Sequence, residues 1–279
     1  MSDQISADAR PLPAPPRNYG AINWIGLWTL YKREVGRFLK VWMQTLFAPV
    51  ITTLLFMTVF KLAFGNRGEL TGDFAGLDYN AFLAPGLIIM SMLQNAFQNT
   101  SSSLTIAKVQ GSQVDFLMPP LSPLELTLGF IFGAVTRGIM VGVIGGLAIH
   151  FSGLASLNIA MIWPIIWFSL MATIFLAALG AIAGIWAEKF DHLAAITNFV
   201  IVPLTFLSGT FYDIKVLVEP FQTAAHFDPI FYLIDGFRAG FIGVSNTALS
   251  TGMITTAGFT LASCVWVWWL FRTGYKLKS

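Results

Sequence analysis

Gly138–Ala187 reads GIMVGVIGGLAIHFSGLASLNIAMIWPIIWFSLMATIFLAALGAIAGIWA, fifty consecutive residues without aspartate, glutamate, lysine or arginine. About 20 apolar residues in a helix cross the hydrocarbon of a bilayer, so this stretch holds two crossings joined by a short polar turn near His150–Asn158. Backbone amides left unbonded in lipid cost several kcal/mol, which leaves the helix as the form such segments take. Outward from it lie further charge-free windows at Val41–Phe60, Tyr79–Ala107, Leu193–Tyr212 and Ala239–Phe271. The expected fold is an all-α polytopic membrane protein. Six spans are placed at about 43–64, 81–103, 126–149, 159–186, 193–211 and 250–271.

Composition agrees. The chain is 56% hydrophobic and 11% charged, with a mean hydropathy of +0.70, against roughly 25% charged residues in ordinary soluble domains. A net charge of +2 gives no nucleic-acid surface. The lone Cys264 lies in an apolar run, which excludes an internal disulfide. Residues 1–23, with Pro11, Pro13, Pro15 and Pro16, lack the apolar core of a signal peptide and read as a flexible tail ahead of a 24–279 membrane domain.

An even number of spans puts both termini on one side, and lysine and arginine counts choose the side. Eleven cations (Arg10, Arg17, Lys32, Arg33, Arg37, Lys40, Lys108, Lys189, Arg272, Lys276 and Lys278) fall on one face. Arg67, Lys215 and Arg238 fall on the other, with Lys61 near its boundary. Both ends are expected in the cytoplasm. Glycines at 129/133, 138/142/146 and 180/184 are spaced for close helix approach, either within the chain or along a seam between two copies.

Three segments are not simple spans. Residues 24–42 carry Trp24, Trp28, Tyr31, Val35, Phe38 and Trp42 at helical spacing, opposite Lys32, Arg33, Arg37 and Lys40, as expected of an N-terminal interfacial helix. The loop 104–124 contains a helix-like piece, 106–117, stopped by Pro119, Pro120 and Pro123. It serves as a docking stub or as a plain connector. Residues 213–250 are too apolar for an ordinary loop. They suggest two short helices forming a periplasmic re-entrant hairpin, the second capped by Asp228 and started by Pro229, with Asp235 and Arg238 able to pair.

Arg137, at the middle of the third span, costs about 2.5–3.5 kcal/mol on insertion scales unless it meets protein or water. Asn95, Gln98 and Asn99 of the second span are its expected partners in an intramembrane polar staple; a substrate-binding role is the alternative. No phosphate-cradling G-x-x-x-x-G-K-[ST], G-x-S-x-G, H-E-x-x-H or C-x-x-C sequence occurs, and all fourteen acids lie at or beyond the expected span ends. The chain therefore carries no visible energy source, and no metal, cofactor or catalytic set is read from it.

Three passages carry a resemblance. Ser208-Gly209-Thr210-Phe211-Tyr212, followed by Asp228-Pro229-Ile230-Phe231-Tyr232 and Arg238, is similar to the segment before the last span of the ABC-2 type transporter permeases, with Asp228 at a usual asparagine. Asp115-Phe116-Leu117-Met118-Pro119-Pro120-Leu121-Ser122-Pro123 and Glu188-Lys189-Phe190-Asp191-His192 resemble two cytosolic elements of the same family. The likeness extends over about residues 24–272. It implies a bacterial inner-membrane exporter subunit without enzyme activity, paired with a second copy and with a separate ATPase that uses the ATP. Lys108, Gln110, Gln113, Asp115, Phe116 and Leu117 would couple to that ATPase. Gly209, Tyr212, Pro229, Tyr232, Asp235 and Arg238 would form a re-entrant outer gate. The rival reading is a self-contained secondary carrier or channel, which inverted repeats would favour.

Overall fold

The computed structural model describes residues 20, 22–64 and 74–277. The expected tail through residue 19, with Arg10 and Arg17, lies outside the described residues, as do Arg67 and Lys278. Helix accounts for 79% of the structure, with no strand among the described residues. The elements are α1 (Trp24–Leu39), α2 (Ala48–Phe64), α3 (Tyr79–Val109), α4 (Val114–Leu117), α5 (Pro123–Ser152), α6 (Ile162–Trp186), α7 (Phe190–Ile196), α8 (Val202–Leu207), α9 (Phe221–Phe227), α10 (Pro229–Ile242) and α11 (Leu249–Thr273). Among the described residues, six helical stretches are long and apolar enough to cross a membrane: Met43–Ala63, Tyr79–Val109, Pro123–Ser152, Ile162–Trp186, Phe190–Leu207 and Leu249–Thr273.

Helix α3 is the axis of the bundle. In its most apolar window 83% of residues are buried, against 22% for Met43–Ala63 and 17% for Phe190–Leu207. It packs on α5 and α6 along its length and touches α2, α7 and α10. The glycines make this possible. A methyl group at Gly184 would lie 2.8 Å from the Ser101 carbonyl, and one at Gly138 would lie 2.7 Å from Thr173 Cγ2. The Thr100 hydroxyl donates to the Ala177 carbonyl at 2.7 Å across the α3–α6 contact. Gly129 and Gly133 receive Leu30 and Glu34 of α1. The glycine pairs thus serve packing within the chain.

The two least buried stretches share a construction. A π-helical turn (Met43–Phe47 or Thr197–Ile201) immediately precedes a helix whose second residue is proline, Pro49 or Pro203. Proline removes one ladder hydrogen bond and crowds the carbonyl four residues back; a widened turn relieves both.

Helix α1 packs against α5. Its inward face is Leu30, Glu34 and Phe38, while Trp24 and Trp28 are 69% and 61% exposed. Asn23, assigned to the tail from sequence, is buried as the N-cap of α1 and accepts from the Gly26 amide at 2.9 Å. The expected 106–117 helix is also revised. Helix α3 runs on to Val109 and ends where Gly111 takes φ +68°, and α4 is one separate turn.

Candidate functional site

The expected polar staple exists with a different membership. Arg137, 6% exposed, donates from Nη2 to Asn95 Oδ1 at 2.8 Å, and Asn95 Nδ2 donates to the Ser91 carbonyl at 3.0 Å. Asn99 is instead engaged by Arg37, which donates to its carbonyl at 2.7 Å and its Oδ1 at 3.1 Å. Gln98, one residue earlier on α3, points outward and is exposed.

Glu34 and Arg37 were not expected here. Glu34 is fully buried and accepts from Arg37 at 3.1 Å and from Ser103 Oγ at 2.8 Å. Its inward aim follows from α1 lying against Gly133, whose missing side chain makes room for the Glu34 stem. One acid thus lies among the helices rather than at their ends. With Arg37 and Arg137 the cluster holds two cations and one anion. Arg137 Nε and Asn99 Nδ2 are buried without a hydrogen-bond partner. The only sequence signal was the Glu34/Arg37 spacing of three, which places both groups on one helix face without saying which neighbour that face meets.

At the α1 end of the bundle, Glu125 closes two helix starts. It forms a capping box with Ser122, accepting the Ser122 amide at 2.6 Å, and its other oxygen accepts the Asn23 amide at 2.5 Å. Helix α1 is thereby fastened to the start of α5. Asn23, Gly26, Arg33, Asp115, Phe116 and Pro120 line a groove of about 250 Å³ beside this junction. Of the expected coupling residues, Gln110, Asp115 and Leu117 are exposed, and Gln113 is half-buried. Phe116 turns inward onto Phe130, with ring centroids 5.4 Å apart. Lys108 is half-buried and donates to the carbonyls of Ile185 and Ala187, closing the end of α6. Lys276 donates to Glu188 at 2.9 Å beside it, and this hydrogen bond holds the Glu188 carboxyl below its usual range.

At the opposite end, Gly209 and Tyr212 of the expected gate lie in the turn after α8, and Arg238 binds that turn. Gly209 adopts φ +77°, which favours glycine. Arg238 of α10, 2% exposed, donates to the carbonyls of Gly209 (2.8 Å), Thr210 (3.2 Å) and Phe82 (3.2 Å), and stacks 3.7 Å above the Phe82 ring. Tyr212 donates to the Phe206 carbonyl and Tyr232 to that of His226. Asp228 caps α10 through the Ile230 amide at 2.9 Å, ahead of Pro229. The expected Asp235–Arg238 pairing is replaced. Asp235 accepts the Asn246 and Thr247 amides at 2.9 and 3.1 Å, because the loop after α10 folds back over it. Phe56 and Phe60 of α2 reach the same turn, with Phe60 stacked on Phe211 at 5.2 Å.

Residues 26–242 match the family described as ABC-2 type transporter. The chain is 34% identical over 259 residues to "Inner membrane transport permease YadH" of Escherichia coli K12, covering 92% of this chain and 98% of that protein. It is 28% identical over 226 residues to "Nodulation protein J" of Rhizobium leguminosarum bv. trifolii, covering 80% of this chain and 83% of that protein. With its six apolar crossings and a family match over most of its length, the chain belongs to the ABC-2 type transporter family as a multi-pass membrane permease.

Proposed function

We propose that the chain is the membrane-spanning subunit of an ATP-driven exporter in a bacterial inner membrane, working as two copies around a shared path above separate ATPase subunits. One observation carries this reading. Helix α3 is the most buried crossing, yet Gln98 on it is exposed and Gln94, one turn away, is half-buried, beside Ser91 and Ser102, which bond to Thr53 of α2 and to Arg37. A polar strip at mid-membrane does not face acyl chains; it faces protein or water. The thinly covered α2 and α7–α8 flank α3, and their exposed apolar residues suit contact with a second copy.

The termini, α1 and the 110–122 loop then lie on the cytoplasmic face, in line with the cation count. There α1 lies in the interface, its exposed tryptophans towards the headgroups. Gln110, Asp115 and Leu117 offer the ATPase contact, and the Asn23–Glu125 junction passes movement from that loop into α1 and α5. Helices α9 and α10 form the re-entrant hairpin at the outer face. The π turns ahead of Pro49 and Pro203 are the points at which the two outer crossings bend. Inner-membrane residence is the property named for the YadH relative. ATP is bound by the partner subunit, and residues 24–279 form one transmembrane domain behind an N-terminal tail.

The test uses Gln98→Cys in a Cys264→Ser background. The thiol should react with a charged, water-soluble maleimide and cross-link to its counterpart in a second copy, whereas Leu261→Cys, exposed on α11, should do neither. A Gln98→Cys thiol that stays unreactive and uncross-linked in folded protein overturns the reading.

A further inference from the structure

We propose that the groove between α5 and α11 holds one acyl chain of a phospholipid whose anionic headgroup rests on Arg272. The groove encloses about 520 Å³ and is walled by Leu128, Phe132, Ile174, Leu261, Val265 and Trp268. Thr127 also borders it, but its hydroxyl donates to the Pro123 carbonyl at 2.8 Å, so it offers the groove no free donor. An occupant of these walls is hydrocarbon. Along α5 the groove runs from Leu124 to Phe132, about 12 Å at 1.5 Å per residue. That is close to one leaflet of hydrocarbon, about 15 Å. Leu261 and Val265 remain 67% and 52% exposed along it.

The headgroup assignment comes from the rim. Arg272, one turn beyond Trp268, lies with its guanidinium 5.1 Å from that ring, at the mouth of the groove. Around the same end of α11, Trp186, Trp266, Trp269 and Tyr275 line a second apolar recess, and the Lys276 ammonium lies 5.5 Å from the Trp186 ring. Tryptophan, tyrosine and cations at one level mark the boundary between hydrocarbon and headgroups. A ligand with an apolar tail and an anionic head matches both parts. Only a third of the α11 window is buried by protein, and the acyl chain completes its contact with α5. The inference rests on α11 crossing a bilayer and is independent of the cargo and of any ATPase.

The experiment is native mass spectrometry of the delipidated full-length chain, titrated with phosphatidylglycerol or phosphatidylcholine of identical acyl chains. Wild type should show one saturable phosphatidylglycerol per copy, preferred about fivefold over phosphatidylcholine, the factor that about 1 kcal/mol per surface cation represents. Arg272→Gln should remove the preference while keeping the site. Leu128→Trp, which fills the groove, should remove saturable binding of both lipids, whereas Ile254→Trp elsewhere on α11 should leave it unchanged. A second reading does not depend on those variants folding. Cys264 lines the groove and is the single cysteine of the chain, so phosphatidylglycerol should slow its maleimide modification saturably. Non-saturable binding, equal affinity for the two lipids, or an unprotected Cys264 would each overturn the proposal.

Discussion

Glu34 and Arg37 form an ion pair at 3.1 Å inside the bundle, the carboxylate fully buried and the guanidinium side chain 28% exposed. The pair ties α1 to α3 through Asn99 and Ser103. Helix α1 is therefore anchored by polar contacts that reach between the crossings.

Glu34→Gln keeps an acceptor for Ser103 but leaves Arg37 without its anion. Breaking a buried pair costs about 3–5 kcal/mol, and the partial exposure of Arg37 brings the expected loss to about 2–4 kcal/mol. Thermal unfolding in detergent should show the loss, and the double variant Glu34→Gln/Arg37→Gln should recover part of it. Additive losses in the double-mutant cycle would contradict a direct pairing.

Asp228 offers a pH-dependent case. Ser208 Oγ lies 2.5 Å from the Leu204 carbonyl and 2.6 Å from Asp228 Oδ2, but a hydroxyl has one proton to donate. Burial pushes the Asp228 carboxyl up from its usual value, and a protonated Oδ2 can donate to Ser208 while Ser208 donates to Leu204. Because the folded pKa is raised, the charged form costs stability above that pKa, and the cost disappears as pH falls through it. Asp228→Asn reproduces the protonated pattern. It should raise the midpoint of unfolding at neutral pH by about 2–4 °C, for roughly 1 kcal/mol. The gain should vanish in acid. An equal gain at all pH values would exclude this explanation.

Gly180 lies against the Phe97 carbonyl and Thr100 Oγ1 at the α3–α6 contact, whereas Gly145 has no heavy atom within 4 Å of an added methyl. Gly180→Ala should destabilise the bundle by about 1–3 kcal/mol through overpacking, and Gly145→Ala should be neutral or slightly stabilising. Parallel melting curves in one detergent test the contrast, which equal effects would contradict.

Lys108 and Asp115 separate folding from coupling. Lys108→Glu removes the donor that closes the end of α6 and should lower yield and melting temperature. Asp115→Lys changes an exposed charge and should leave the fold within about 0.5 kcal/mol of wild type. On the proposed coupling surface it should lower permease-dependent ATP hydrolysis in the co-purified complex. Full ATPase stimulation by Asp115→Lys would remove Asp115 from that surface.

The six crossings, the Asp228 cap and the Arg137–Asn95 contact were all legible in the chain because each rests on a local or nearly forced property. Apolar length, the residue opening a helix, and a cation at mid-span with amides on the next crossing are such properties. What Lys108 and Asp235 bind was not legible, for a different reason. Their partners lie at Ile185 and Ala187, and in the 246–247 loop, and spacing alone does not say which carbonyl or amide arrives first.

Sequence by itself determined that this protein is a helical, multi-pass membrane protein with six helices long and apolar enough to cross among its described residues, since hydrophobic length and backbone hydrogen bonding in lipid favour that form. Only the tertiary structure decided that Glu34 turns inward and that Arg238 spends its donors on Phe82, Gly209 and Thr210. Those choices depend on which helix faces meet across sequence separations of 28 to 156 residues. A helix's periodicity defines its faces but not the neighbour each one finds.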